Sequence, residues 1–285
     1  MKTVFDLLVA PLAIALAGVI AGVFRARQLR RAHGICPLAT AHRLLPEVCV
    51  LAPLSIVATT LLLVLLRIPR VAWVLPPLLD YWREPILWVL SSGSLAYLCG
   101  VAVRLAFDAR DPERNKLFAS SLVLLSALGW MYLRSIWPIA DSLQNWQMPG
   151  GYVFQSSSYS CGAASLANAA RAFGIPATER QMAELAGTTH AGTSPGQILH
   201  ALRQIGLRGI KRTFTFDELR QVRNPCILLV EYPGTGPDSH AVVLLPPVGP
   251  RLRIIDPLDG AQEWAADRLY LVWRGHLIEC VRPSP

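Results

Sequence analysis

Four long apolar runs in the first half of the chain constrain its fold more than any other feature. A helix needs about 20 apolar residues to cross the hydrocarbon core of a bilayer. The stretches that meet this requirement are Val4 to Phe24, Val48 to Leu66, Pro85 to Phe107 and Leu117 to Trp137. The first run is long and ends in an arginine cluster rather than a small-residue cleavage site, so it is predicted to be a retained anchor and not a signal peptide.

The second half of the chain has a different composition. Only 16% of all residues are charged, whereas about 25% is usual for soluble domains, and the deficit is concentrated before residue 140. We therefore predict an α-helical membrane region of about four transmembrane helices over residues 1–137, a linker over 138–151 and a globular domain over 152–285. The simplest role for the membrane region is to anchor that domain, and the alternative is that it presents a membrane-borne substrate.

The basic residues between the apolar runs predict which side of the membrane the domain occupies. Short cytoplasmic loops carry an excess of lysine and arginine. The richer loops follow the first and third runs and contain Arg25, Arg27, Arg30, Arg31 and Arg43, and Arg104, Arg110, Arg114 and Lys116. The opposite side has only Lys2, Arg67, Arg70 and Arg83. A multi-pass protein of the cell (inner) membrane with an extracytoplasmic domain is therefore predicted.

The formal net charge of +8 does not indicate nucleic-acid binding, because the excess is arginine flanking apolar runs. No Gly-x-x-x-x-Gly-Lys phosphate loop occurs in the sequence, so the chain carries no ATPase of that type. The cysteines lack the spacing of a zinc site. We predict no metal, no cofactor and no nucleic-acid partner, and expect the lipid bilayer as a partner.

After the linker the pattern changes to short helices followed by strands. Helices are predicted from Cys161 to Phe173, from the Thr178 capping box to Gly187, from Ser194-Pro195 to Gly206, and briefly at Thr215. Strand-like runs follow at Cys226–Glu231, His240–Leu245, Leu252–Ile255 and Leu269–Val281, the last with a turn near Gly275. Helices followed by consecutive strands predict an α+β domain with an antiparallel sheet.

Cys161 stands at the start of the first predicted helix of this domain. The thiolate is the reactive form of cysteine, and both helix N-terminal N–H groups and a neighbouring imidazolium stabilise it. Gly162 allows close backbone approach beside the sulfur. The Cys161 N–H and the Gln155 side chain could both donate to a developing oxyanion. These features favour Cys161 as a nucleophile.

His240 and Asp256 are the candidates for the other members of a triad. His240 opens one apolar strand, and Asp256 closes the next. If the two strands form a hairpin across Pro246 to Pro250, those ends lie side by side. The carboxylate can then accept a hydrogen bond from one imidazole nitrogen while the other nitrogen faces Cys161.

These residues carry a resemblance to a known family. The domain resembles the bacteriocin-processing (double-glycine leader) cysteine peptidases of the papain-like clan. The matching features are Gln155 six positions before the cysteine, Cys161-Gly-Ala-Ala, the strand Pro225-Cys-Ile-Leu-Leu, His240 before an apolar strand, and Asp256-Pro257 with Gly260 after it. The resemblance implies a papain-like fold and a thiol protease in which Cys161 is the nucleophile, His240 the general base, Asp256 the orienting residue and Gln155 the oxyanion donor. With this activity, the expected partners are a polypeptide substrate and, as a further candidate, a separate export system.

Two features differ from that family. Ser160 stands where an aspartate is typical, and there is no fused ATPase. Two alternatives therefore stay open beside peptidase activity: a catalytically silent leader-binding module that partners a transporter, and an amide or acyl transferase on the same fold. Cys226 and Cys280 could pair as a disulfide in an oxidising compartment. His190, His200 and His276 are expected to be structural or exposed.

Overall fold

The structure is a computed structural model that describes residues 73–81, 133–147, 149–232, 236–247 and 251–283, with isolated positions before residue 133. The four predicted spans therefore lie almost entirely outside the described residues. Within the described part, no helix is both long and apolar enough to cross a bilayer. The chain divides into two compact units, Met1–Ile68 with Arg83–Ile136, and Pro69–Trp82 with Trp137–Pro285.

The second unit is an α+β domain, as its sequence pattern predicts. Its described helices are α1 (Pro77–Tyr81), α2 (Cys161–Ala172), α3 (Glu179–Ala186), α4 (Pro195–Gln204), α5 (Phe216–Leu219) and α6 (Ala266–Val272). Its strands are β1 (Arg208–Thr213), β2 (Cys226–Tyr232), β3 (Gly236–Leu244), β4 (Leu252–Asp256), β5 (Gly260–Trp264) and β6 (Trp273–Val281). The strands form one antiparallel sheet in the order β1-β6-β2-β3-β4-β5.

Apolar side chains cover both faces of this sheet. Ile227 and Leu229 of β2 pack with the alanine-rich helix α2 and with α3 and α4 in one core cluster. Leu228 and Val230 point to the other face and pack with a second cluster around Trp264 and Leu269. Successive side chains of a strand alternate between faces, so a strand buried on both sides has the continuous apolar sequence seen in β2. The helical layer thereby fixes α2 over the centre of the sheet.

Local capping signals place the helix boundaries close to where the sequence predicts them. The Ser194 side chain accepts from the Gln197 N–H, and the Gln197 side chain returns a bond to Ser194, which completes a capping box at the start of α4. Helix α3 begins at the Thr178 cap and ends at Gly187, whose φ of 65° suits glycine. Such caps are encoded within a few residues, which explains why these predictions are confirmed.

The structure differs from the sequence-based assignments at the last strand, at β1 and β5, and in the linker. The predicted run Leu269–Val281 is wrong in its first part, because residues 266–272 form helix α6 and only Trp273–Val281 form β6. Gly275 has a φ of 97° within that strand and does not end it. Strands β1 and β5 were not expected from the sequence, since neither has a long apolar alternation. Ile139, Ala140 and Leu143, within the predicted linker, are buried in the first core cluster.

Candidate active site

The candidate nucleophile lies where helix α2 meets the sheet. Cys161 is the first residue of α2 and is partly buried. The buried helix is tied to the base-bearing strand, because the Ser165 hydroxyl donates to the Ala241 carbonyl at 2.8 Å. On its other side, the Asn168 amide exchanges two hydrogen bonds with the backbone of Val153 at 2.7 and 2.9 Å. These bonds fix the sulfur relative to both β3 and the preceding loop.

Gly162 is required by close packing beside the sulfur. A Cβ at this position would lie 2.7 Å from the Cβ of Thr193, well inside van der Waals contact. The loop that contains Thr193 therefore approaches the first turn of α2 at a distance that only glycine allows. This confirms the prediction of close approach at Gly162, although the approaching group comes from a part of the chain that the sequence did not indicate.

His240 and Asp256 are brought together by the β3–β4 hairpin. The strands pair antiparallel, with Val243 opposite Ile255, and His240 Nε2 lies 2.8 Å from Asp256 Oδ1. The predicted hairpin is thus confirmed, although β3 begins at Gly236 and His240 lies within it. Asp256 Oδ1 also accepts from the Leu258 N–H at 2.9 Å. That second bond holds the carboxylate in place at the end of β4.

The charges of this pair are set by burial and hydrogen bonding. Burial lowers the pKa of His240, but hydrogen bonds with Asp256 and Cys161, together with their charges, outweigh it and raise the pKa to about 9. Burial alone would raise the pKa of Asp256, yet the bonds from His240 and Leu258 hold it below its ordinary value. Because His240 Nε2 is bonded to Asp256, Nδ1 is the ring nitrogen that can bond to the Cys161 sulfur. His240 is therefore favoured as an imidazolium at neutral pH, between the Asp256 carboxylate and the Cys161 sulfur.

Gln155 lies in the loop before α2 and lines the same cleft. Its backbone N–H donates to the Pro257 carbonyl at 2.9 Å, so this loop is joined to the residue after Asp256. Its Nε2 donates to the Ser157 carbonyl at 2.9 Å. An amide nitrogen has two hydrogens, which leaves one for an oxyanion. Gln155 Oε1 is buried and has no hydrogen-bond partner within the described part of the chain.

Glu179 is a buried residue of this site that sequence reasoning missed. Its Oε1 accepts from the Ser156 N–H at 2.7 Å, and its Oε2 accepts from the Ser156 hydroxyl at 2.6 Å. The side chain is fully buried, and both bonds hold the residue next to Gln155. In the sequence Glu179 appears only as the first residue of a capped helix. No local signal shows that its carboxylate points back into the loop before Cys161.

Ser160, which stands where the resemblance leads us to expect an aspartate, bonds back to Ser157. Its hydroxyl donates to the Ser157 carbonyl at 2.8 Å and accepts from the Ser157 N–H at 3.1 Å. These two bonds close the turn that leads into α2. Ser160 makes no side-chain capping bond to the helix, so its contribution lies in the shape of the turn.

Three of the four residues that the sequence nominates, Gln155, Cys161 and His240, line one open cleft, and the fourth, Asp256, is bonded to His240. The volume of the cleft is about 460 Å³, and its lining is Gln155, Ser156, Ser157, Ser158, Cys161, Tyr232, Ser239, His240 and Leu258. Tyr232 places its ring edge-on to His240 at 5.6 Å between centroids.

The remaining described cysteines and histidines lie away from this cleft. Cys226 and Cys280 are buried free thiols, and burial raises the pKa of Cys280 to about 12 and that of Cys226 further still. The disulfide considered for these two residues is absent. His276 is buried and pairs with Asp238, with 2.6 Å between Nδ1 and Oδ2, which sequence reasoning did not indicate.

The domain thus combines a helix that begins with cysteine and an antiparallel sheet that carries a histidine–aspartate pair. Residues 150–284 match the family model described as the Peptidase C39 family. The chain belongs to this family through that domain.

The chain is also similar to two curated proteins. An uncharacterized protein of Methanothermobacter thermautotrophicus is 33% identical over 133 residues, which are 46% of this chain and 88% of the relative. An uncharacterized protein of Methanothermobacter marburgensis is 33% identical over 128 residues, 44% of this chain and 84% of the relative.

Solved structures are similar over the same domain. A double glycine motif protease from an AMS/PCAT transporter, in complex with the leader peptide, shares 23% identity, with coverage of 46% of this chain and 89% of that chain and a TM-score of 0.41. The peptidase domain of Streptococcus ComA, a bifunctional ABC transporter, shares 22% identity, with coverage of 46% and 96% and a TM-score of 0.42.

Proposed function

We propose that this chain is a membrane-anchored cysteine peptidase that hydrolyses a peptide bond in an exported or membrane-associated polypeptide. One observation carries the proposal: buried His240 is hydrogen-bonded to Asp256 at 2.8 Å and lines the same cleft as Cys161, the first residue of α2. Membership of the C39 family supports the same reaction class. The family resemblance makes a polypeptide with a double-glycine leader the first substrate to test.

Each residue of the site has a defined step in this reaction. The Cys161 thiolate attacks the scissile carbonyl carbon, and the oxyanion accepts hydrogen bonds from the Cys161 N–H and Gln155 Nε2. The His240 imidazolium then gives its proton to the departing amine as the C–N bond breaks, which leaves a thioester on Cys161. Neutral His240 takes a proton from water, the hydroxide attacks the thioester, and the acid product leaves with regeneration of the ion pair.

The proposed extracytoplasmic position of the domain rests on the basic residues of the loops, and contacts of the described residues bear only on the number of spans. Residues 73–81 follow the second predicted span, and they pack on the domain that follows the fourth. A loop and a domain in contact lie on the same side of the membrane, which requires an even number of spans between them. The sequence predicts two spans there, from Pro85 to Phe107 and from Leu117 to Trp137, in agreement with this requirement.

Cleavage by the purified full-length protein tests the reaction. In detergent micelles, wild type should cut a synthetic precursor after its glycine pair, and mass spectrometry should show two products. Cys161→Ala should lose at least ~10³-fold in turnover. The matched control Cys226→Ala removes a buried thiol outside the cleft and should keep turnover. Cleavage by Cys161→Ala would overturn the proposal, and binding without cleavage by wild type would favour the silent leader-binding module.

Solvent isotope labelling separates hydrolysis from acyl transfer. In water enriched in oxygen-18, hydrolysis places one heavy oxygen in the new carboxylate, whereas transfer to an added amine does not. Iodoacetamide should first modify Cys161, because Cys226 and Cys280 are fully buried and their thiol pKa values are raised. Peptide mapping of the labelled protein identifies the modified thiol.

A further inference from the structure

The segment Trp73–Tyr81 lies against the peptidase domain although it precedes residue 137 in sequence. Its helix α1 packs on α4 so closely that a Cβ at Gly196 would lie 2.6 Å from the Pro77 carbonyl oxygen and 2.6 Å from the Tyr81 nitrogen. The contact is therefore backbone against backbone, and only glycine at residue 196 permits it. This fit indicates a specific docking of the segment.

Asp80 anchors one end of the segment. Its side chain is buried, and Oδ2 accepts from the Gly196 N–H at 2.6 Å and from Lys211 Nζ at 3.2 Å. The Asp80 carbonyl accepts from the Ser194 hydroxyl at 3.2 Å. A carboxylate is favoured at a helix N-terminus, where backbone N–H groups are unpaired within the helix. Asp80 thus holds Ser194, the N-cap of α4, in place.

The loop before Ser194 connects this anchor to the nucleophile. Thr193 contacts Gly162, the neighbour of Cys161, and its hydroxyl lies 2.9 Å from that of Thr188. Residues 189 and 192 exchange backbone hydrogen bonds, which closes the loop as a tight turn. Asp80 therefore acts on the first turn of α2 through a short and rigid path.

Trp73 anchors the other end of the segment and is linked to β3, the strand that carries His240. Its ring stacks on His276, with centroids 4.7 Å apart and an interplanar angle of 17°, and its Nε1 donates to the Thr213 hydroxyl at 3.1 Å. His276 Nδ1 lies 2.6 Å from Asp238 Oδ2. Asp238 has a φ of 55°, which few residues other than glycine adopt. It precedes His240 by two residues on β3.

We infer that Trp73 and Asp80 are positioning residues for the peptidase reaction proposed above. Asp80 holds the loop beside the nucleophile, and Trp73 holds the strand that carries the base. Neither lines the cleft, so neither touches the substrate. A misplacement of about 1 Å between reacting groups can lower a rate by about 10²-fold. Loss of either anchor should therefore lower kcat while KM stays nearly constant.

Three variants of the full-length protein test this inference. Trp73→Ala removes the stack on His276, Trp73→Phe keeps the stack but loses the bond to Thr213, and Asp80→Asn keeps the shape but removes the charge. Leu78→Ala is the matched control, because Leu78 lies in the same segment and is 70% exposed. We expect kcat to fall about tenfold or more in Trp73→Ala and Asp80→Asn, less in Trp73→Phe, and not in the control.

The rate of Cys161 alkylation at neutral pH distinguishes positioning from simple destabilisation. A weaker Cys161–His240 pair has less thiolate, so alkylation should become slower in the two severe variants. A merely loosened domain would expose the thiol and make alkylation faster. Unchanged or faster alkylation, or a kcat equal to that of wild type, would overturn the inference. Alkylation needs no substrate, so this result stands apart from the test of peptide cleavage.

Discussion

Replacement of Asp256 by asparagine should change the pH range over which the proposed peptidase works. The carboxylate accepts the hydrogen bond from His240 Nε2, and its negative charge stabilises the imidazolium. Asparagine can keep the hydrogen bond to His240 but has no charge. The fold should survive, because the Leu258 N–H can still bond to the amide oxygen. The change is therefore confined to the protonation of His240.

The size of the effect follows from the structure. His240 has a pKa raised from 6.5 to about 9, so its surroundings favour the charged form by about 3 kcal/mol, since one pKa unit corresponds to about 1.4 kcal/mol. A hydrogen bond to a charged partner contributes about 1.5–3 kcal/mol. Loss of the charge should lower the alkaline limit by about one pH unit or more. Because the pKa of His240 is raised, the imidazolium is present below about pH 9 and is lost as the pH rises through that value.

The assay is the pH dependence of kcat/KM for precursor cleavage. The wild-type alkaline limb should fall near pH 9, where His240 loses the proton that it gives to the leaving amine. For Asp256→Asn, the alkaline fall of kcat/KM should lie at lower pH, and the maximum value of kcat/KM should be reduced. Asp259→Asn is the matched control, because Asp259 is an exposed aspartate in the turn after β4. An alkaline limb of Asp256→Asn that coincides with wild type would refute this role of Asp256.

Three further perturbations have defined outcomes. Glu179→Gln weakens both bonds to Ser156, so thermal unfolding should show a loss of about 1.5–3 kcal/mol, and kcat should fall because the Gln155 loop is released. Gly162→Ala forces a methyl group against Thr193 and should cost about 1–3 kcal/mol of stability, with slower alkylation of the thiol. Alkaline phosphatase fused at Pro285 should be active and a green fluorescent protein fusion dark; the reverse pattern would place the domain in the cytoplasm.

The candidate site could be predicted from the sequence where each residue has a local signature. Cys161 stands at a helix start, His240 precedes an apolar run, and Asp256 precedes a proline and a turn. The hairpin that joins the last two is encoded in neighbouring strands, so their 2.8 Å contact follows from short-range pairing. Glu179 could not be found in this way, because its carboxylate acts on Ser156, which lies in a different element.

The segment Trp73–Tyr81 illustrates the same limit. From the sequence, Asp80 is expected to be a loop residue beside Trp82 and Arg83. In the structure its side chain is buried and bonds to Gly196 and Lys211. Only the docking of α1 on α4 brings these residues together. A charged residue in a loop is usually solvated, and no pattern within the loop distinguishes the exception.

The sequence by itself determined the division into apolar runs and a globular domain, the helix caps and the apolar strands, because these depend on residues close in the chain. Only the tertiary structure decided β1, β5 and α6. Strand β1 is polar and exists through its pairing with β6. Strand β5 pairs with β4 and buries only its two end residues, Gly260 and Trp264. The apolar run at Leu269 becomes helix because Leu269 packs into the second core while Tyr270 and Leu271 face solvent. Long-range packing outweighs local propensity in such segments.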